Sequence, residues 1–255
     1  MQFSTSMIQA IIFDLDGTIY CGNSLVDGAI ELLEQLECLG INIFYCTNNS
    51  TKTRQDICAK LNALNVPATP EKIYSAAYAA AHFLKKSNYS DIYCFGMNGL
   101  HNELDSLNIT TTLVPENTSV VLIGLDTNIN YERISSLLPL RNKPCTLVAC
   151  NQDKFFPSDN GINQLGCGFI VSLVENALER NVDYTVGKPN TYMLEMLMKE
   201  HRLAIDEIVM VGDSLESDIT MAQTAGCRSI YLSSQQKVPG VFQVNCLHEI
   251  RALFK

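Results

Sequence analysis

Basic residues are in short supply in this chain: 18 lysines and arginines stand against 27 acidic residues, for a formal net charge of −9. A protein that tracks a nucleic-acid backbone or settles on an anionic membrane needs a clustered basic face, so neither partner is expected. Long apolar runs are missing too. None approaches the ~18 residues of a membrane span, and Met1–Met7 has no basic stretch of the kind that opens a secretory signal. The expected location is cytoplasmic. Cysteine is plentiful, at ten, but no two form a C-x-x-C pair and many lie inside apolar runs. That pattern fits reduced, buried thiols rather than a disulfide framework or a zinc site. His82, His101, His201 and His248 lack metal-ligand spacing and are expected on the surface or on helix faces. Internal repeats and low-complexity tracts are absent.

What is present is a chain of 255 residues, 47% of them hydrophobic, enough for one large core or two modest ones. The run Ile8–Phe13 reads as a buried strand. Gly28–Leu39 carries Ile30, Leu33, Leu36 and Leu39 at helical spacing, with Gly40 closing it, and a second strand follows at Ile41–Cys46. Ile57, Leu61 and Leu64 share one face of a helix predicted over Thr51–Leu64, which Thr51 can cap. This β-α-β-α alternation implies a parallel sheet with crossover helices. The two prolines of Val66–Pro70 suit a linker. A second α/β block follows, with strands near Ile92–Phe95, Val120–Gly124 and Cys145–Ala149 and helices near Ala76–Lys86, Leu100–Leu107, Tyr131–Leu138 and Phe169–Leu178. Between them runs a long polar loop, 151–161. From Tyr184 the style of the first block resumes: a short strand at Thr185-Val186, a helix near Thr191–His201 with Pro189 at its N-terminus, a strand at Glu207–Val211, a helix near Leu215–Ala225 and a strand at Cys227–Leu232. The predicted fold is α/β, a discontinuous core of residues 1–70 and 182–255 carrying an inserted α/β domain, 71–181.

Chemistry-bearing residues collect at the ends of the predicted core strands. Asp14 and Asp16 follow the first, Thr47-Asn48-Asn49-Ser50 the second, Lys188 the short strand at Thr185-Val186, and Asp213 and Asp218 the strand ending at Val211. In an open parallel sheet ligands bind beyond the carboxyl ends of the strands, so these groups are expected to face one crevice. Carboxylates gathered there repel one another by about 1 kcal/mol per pair at ~4 Å in water, and more in a drier site. A cation is therefore expected, and oxygen-only ligands with room for water suit Mg²⁺. Thr47, the neighbouring amides and the Lys188 ammonium can hold phosphate oxygens. Taken as a calcium loop the first motif fails: the twelfth position from Asp14 is Leu25, and the glycine position counted from Asp16 is Cys21.

The four motifs D-L-D-G-T-I-Y (14–20), T-N-N-S (47–50), G-K-P (187–189) and G-D-S-L-E-S-D (212–218), in this order, resemble those of the haloacid dehalogenase (HAD) superfamily of phosphohydrolases. Together with the insertion and the segment A-C-N-Q-D (149–153), they are similar to the NagD-like, p-nitrophenyl-phosphatase-type subfamily. The resemblance implies a Rossmann-like parallel-sheet core with an inserted C2-type cap, and Mg²⁺-dependent hydrolysis of a small phosphorylated metabolite through an aspartyl-phosphate. It implies Asp14 as nucleophile and metal ligand, and Asp16 as the group that moves the proton, with its backbone carbonyl on the metal. Asp213 would be a further metal ligand and Asp218 a supporting one; Thr47 and Lys188 would serve catalysis, with Thr47, Asn48, Asn49 and Lys188 around the phosphoryl group. The cap loop, through Asn151, Asp153 and Phe156, would select the leaving group. Self-association is left open. Dehalogenation is disfavoured, since it needs no acid two residues after the nucleophile. A non-catalytic phosphometabolite-binding protein on the same fold is the alternative, although Asp14, Asp16, Asp213 and Lys188 are all present.

Overall fold

The computed structural model describes residues 7–87, 89–157 and 163–254. All four side chains of the strand Ala10–Phe13 are buried, and alternate residues serve different cores. Ile11 and Phe13 join Leu32, Leu36 and Val211 on one face, while Ala10 and Ile12 join Phe44 and Met210 on the other. A strand covered on both faces reads as a continuous apolar run, which is how it stands in the sequence. It lies inside a six-stranded parallel sheet ordered Gln243–Val244, Arg228–Leu232, Ile208–Gly212, Ala10–Phe13, Asn42–Thr47 and Ile73–Ser75.

A second parallel sheet has five strands, ordered Tyr184–Thr185, Thr146–Ala149, Val120–Ile123, Ile92–Phe95 and Thr111–Thr112. The helix Ala76–Ser87 connects the two sheets. Its buried Ala76, Ala77, Ala79, Ala80 and Ala81 belong to a hydrophobic cluster that includes Ile12 and Met210 of the first sheet and Ile92, Val120 and Val148 of the second. Side chains of one carbon let this helix approach its neighbours closely at native packing density.

Several elements differ from the sequence-based expectation. Ile73–Ser75 forms the edge strand of the first sheet; three residues between a proline-rich stretch and an alanine-rich helix carry no readable periodicity. Tyr184–Thr185 pairs with Val148 and Ala149 in the second sheet rather than joining the first. The helix predicted from Thr51 begins at Arg54. Thr53, not Thr51, caps it, because Asp56 three residues on completes a capping box, and Thr51 instead binds the Asn49 side chain. The next-to-last helix opens as a wide turn, Leu215–Ile219, before regular turns at Thr220–Ala225. Pro189 precedes its helix, which runs Tyr192–His201. In the polar loop, Phe155–Pro157 pairs antiparallel with Asn163–Leu165; residues 158–161 of the predicted loop lie outside the described residues. All ten cysteines are free, seven of them buried. Among the described residues no helix is long and apolar enough to cross a membrane.

Candidate active site

Strand register builds one wall of the site. Phe13 stands between Val211 and Tyr45. The residues that follow, Asp14, Gly212-Asp213 and Cys46-Thr47, therefore emerge at one edge, and the Asp14 N–H continues the ladder to the Val211 carbonyl at 2.8 Å. The opposite wall comes from the second sheet. Val186 and Gly187 N–H groups bond the carbonyls of Ala149 and Cys150 at 3.0 and 2.7 Å, so the chain leaves Thr185 in extended form and carries Lys188 across to the first sheet.

There the Lys188 ammonium donates to Asp14 Oδ1 at 2.6 Å, to Asp218 Oδ1 at 2.7 Å and to the Cys46 carbonyl at 2.9 Å. All three of its protons are used. The three charged residues are 2%, 7% and 0% exposed for Lys188, Asp14 and Asp218, so this is a buried ion cluster. Burial alone would pull the Lys188 ammonium towards neutrality, but the Asp14 and Asp218 carboxylates outweigh it and hold its pKa well above the usual lysine value. Burial pushes Asp14 up to about 6 against the opposing pull of Lys188, and Asp218 to about 6 for the same reason. Asp213, whose side chain opens to solvent, is also raised to about 6, by loss of part of its water shell and then by the Asp218 charge. One ammonium does not neutralise three acids.

Carboxylate oxygens of Asp14, Asp213 and Asp218 lie within 4.8 Å of one another. This donor set, all oxygen and net negative, fits a hard divalent cation. Asp218 has both oxygens engaged, Oδ1 by Lys188 and Oδ2 by the Ser214 N–H at 3.1 Å, so it buttresses the cluster. Gly17 closes the other side: its φ is +89°, and a Cβ built there would fall 2.1 Å from Asp213 Oδ2. Only glycine leaves that carboxylate its place. The Asp16 carboxylate does not belong to this cluster. It faces Tyr20, whose hydroxyl lies 3.5 Å from Asp16 Oδ2; burial, then the Asp16 and Asp14 charges, raise the tyrosine so that it keeps its proton.

The Thr47–Ser50 turn faces both sheets. Thr47 is buried and its Oγ1 accepts the Asn49 N–H at 3.2 Å, which leaves its own proton to donate. Asn49 Oδ1 holds the turn by accepting the N–H groups of Thr51 and Lys52 at 2.9 and 3.0 Å. Asn48, Asn151 and Asp153 come together as well, although in contact with one another. Asn48 Nδ2 donates to Asp153 Oδ2 at 2.9 Å and to the Lys188 carbonyl at 3.0 Å, and its Oδ1 accepts the Lys188 N–H at 2.8 Å. Asn151 Nδ2 donates to the Asn48 carbonyl at 2.7 Å, and its Oδ1 accepts the Asp153 N–H at 3.0 Å. Burial raises the Asp153 pKa, opposed by the Asn48 hydrogen bond. These bonds tie the second sheet to the first, and Gly187 fits beneath them because a Cβ there would meet the Cys150 carbonyl at 2.4 Å. Phe156 lies on the hairpin strand Phe155–Pro157. Sequence reading missed the Cys46 carbonyl, which no side-chain pattern signals, and gave no role to Tyr20, although it closes the motif D-L-D-G-T-I-Y.

Comparison with known proteins bears directly on this arrangement. Residues 11–110 match a family described as haloacid dehalogenase-like hydrolase, and residues 185–239 match one described as HAD-hydrolase-like. Phosphoglycolate phosphatase 2 of Arabidopsis thaliana is 30% identical over 247 residues, covering 88% of this chain and 82% of the relative. The chain belongs to the haloacid dehalogenase-like hydrolases. An acid sugar phosphatase of Staphylococcus haemolyticus is likewise 30% identical, over 88% of this chain and 84% of its own. The crystal structure of a 4-nitrophenylphosphatase from Thermotoga maritima superposes with a TM-score of 0.89 at 26% identity, covering 98% of this chain and 99% of that one. Within the family the protein is a NagD-like phosphatase, a phosphoric monoester hydrolase. Phosphatases of this family generally use a divalent metal.

Proposed function

We propose that the protein hydrolyses a small phosphomonoester with Mg²⁺ bound, through an aspartyl-phosphate on Asp14. The observation that carries this reading is the Lys188 ammonium held between Asp14 Oδ1 and Asp218 Oδ1 beside Asp213. With Oδ1 occupied by Lys188, Asp14 presents Oδ2 to phosphorus. The bond from Oδ2 to phosphorus forms as the bond to the alcohol oxygen breaks, and Asp16 gives its proton to that oxygen. Asp16 then takes a proton from water, the water oxygen attacks the acyl phosphate, and inorganic phosphate leaves with Asp14 restored. Thr47 donates to the phosphoryl oxygens, assisted by amide groups of the 47–50 turn, and Lys188 fixes the nucleophile and offsets charge. Asp14 and Asp213, with the Asp16 carbonyl, would hold Mg²⁺, buttressed by Asp218. The ion supplies charge neutralisation for the transferring group.

The same proposal takes the first sheet as a core and the second as an inserted cap, with the chain crossing at Ala76–Ser87 and again at 186–188. In substrate, the named relatives point to phosphoglycolate and sugar phosphates, with 4-nitrophenyl phosphate as an artificial ester. Phosphate release from a panel of such esters with Mg²⁺ tests it, with Asp14→Asn as the control. Turnover of the variant should collapse while its melting temperature in chelator holds or rises, since one of the clustered acids is neutralised. A variant that still turns over removes the nucleophile assignment. A wild-type protein that binds the esters but releases no phosphate favours the non-catalytic alternative.

A further inference from the structure

A cavity of about 380 Å³ opens beside Asp16, with Tyr20, Asn49, Lys52 and Lys60 in its walls. That volume is within the range of small-molecule sites. The Lys60 ammonium lies over the Tyr20 ring, 3.8 Å from its centroid, and the Tyr20 hydroxyl points back to Asp16. Lys60 is half-buried and Lys52 more exposed. Among the described residues neither is in an ion pair. Asp56, the other acid of the cavity wall, is committed to the helix cap, where its Oδ2 accepts the Thr53 N–H and hydroxyl at 3.0 and 2.7 Å.

The chemistry of the site fixes what must occupy this space. A group that passes its proton to a leaving oxygen touches that oxygen, so the alcohol half of the substrate lies on the Asp16 side and extends into the cavity next to it. Lys52 and Lys60 line that space together with Asp16 and the helix-cap residue Asp56. A neutral alcohol offers the two lysines no charged acceptor, whereas an anion accepts charge-assisted hydrogen bonds from them. We propose that this cavity is the leaving-group subsite and that Lys60, aided by Lys52, selects phosphomonoesters whose alcohol carries a second anionic group. The inference rests on the phosphatase reading above and adds the handle by which the alcohol is recognised. A carboxylate and a second phosphate share the required chemistry.

The test measures kcat/KM with Mg²⁺ for three esters: phosphoglycolate, which carries a carboxylate, a short diol bisphosphate, which carries a second phosphate, and ethyl phosphate, which carries neither. Wild type is expected to favour one of the charged esters over ethyl phosphate, and the better of the two identifies the anion. In Lys60→Met that preference should fall about tenfold, the usual loss for one hydrogen bond to a charged group, and in Lys60→Met/Lys52→Gln further still. The fall should appear mainly in KM. Lys60→Arg, which keeps the charge over the ring, should restore the preference, and thermal melts check that each variant is folded. Equal preference in wild type, or a preference that Lys60→Met leaves intact, overturns the subsite. So does a Lys60→Arg that behaves like Lys60→Met. Failure of wild type to hydrolyse these three, a sugar phosphate and 4-nitrophenyl phosphate alike sinks the phosphatase reading itself, which is a different result from hydrolysis without preference.

Discussion

The two parallel sheets are alike in class and opposite in what they bring to the crevice. The first ends its strands in acids: Asp14 after Phe13, and Asp213 and Asp218 after Val211. The second brings the one ammonium, Lys188 after Thr185, with one amide, Asn151 after Ala149, and an acid, Asp153, that the first sheet's Asn48 holds by a hydrogen bond. Neither edge is electrostatically tolerable alone. Burying a carboxylate without a partner costs several kcal/mol, and two of the acids are buried at the Lys188 ammonium. The difference teaches that the counter-charge, and with it the state of Asp14, is supplied by the sheet that does not carry Asp14. In this protein the contact between sheets is part of the site.

Removing the ammonium breaks that relation most severely. Lys188→Met leaves Asp14 and Asp218 buried together without compensation and is expected to lose about 3–5 kcal/mol of stability at pH 7 in chelator, measured by urea unfolding. The sign with pH follows from their raised values. Asp14 and Asp218 stand near 6 in the fold against 3.8 for the free side chain, so their neutral forms favour folding. Stability from these groups is complete below the unfolded value and is lost as pH rises through about 6. Loss of Lys188 enlarges that fall, so the deficit of the variant should shrink between pH 7 and pH 4.5. A deficit independent of pH would show that packing rather than charge sets it.

A smaller break acts on the tie between sheets. Asn48→Ala leaves the Asp153 carboxylate and the Lys188 backbone groups without their partner. The expected cost is about 1–3 kcal/mol, with a fall in phosphate release because Lys188 is no longer held in place. Unchanged stability by thermal or urea melts would remove Asn48 from the tie. Smallest in stability is Gly17→Ala, which touches only the first sheet. Positive φ and the clash with Asp213 should cost about 1–2 kcal/mol, yet divalent-metal affinity, read by calorimetry, should fall much more steeply than stability. Equal metal binding by variant and wild type would show that the Asp213 carboxylate can move freely.

Much of this was legible in the sequence, for reasons that can be named. Ile11, Ile12 and Phe13 are buried on both faces of a sheet, and such strands announce themselves as apolar runs with the acids directly after them. Helical spacing located Ala29–Cys38 and Cys167–Leu178 within a few residues. What escaped was set by partners distant in the chain. Tyr184–Thr185 is two residues long and reads the same in either sheet until its neighbour is known. The hydrogen-bonding of Asn48 to Asp153 spans 105 residues, and nothing local distinguishes an amide that binds substrate from one that binds the other sheet. The register of Thr53 over Thr51 was decided by Asp56, a signal present in the sequence but outweighed by the first threonine after the turn.

The central strand of the first sheet also governs the order in which this molecule can come into being. Ala10 pairs with Ile208, so as the chain emerges from the ribosome this strand lacks one of its two neighbours until Ile208 has been made. The second sheet has no such debt: its strands lie between Ile92 and Thr185, and all can pair before Ile208 appears. Non-local pairing is slow because loop closure must precede its reward, while contiguous units fold early. Asp213 and Asp218, which follow the strand Ile208–Gly212, are therefore brought to Asp14 and Lys188 last.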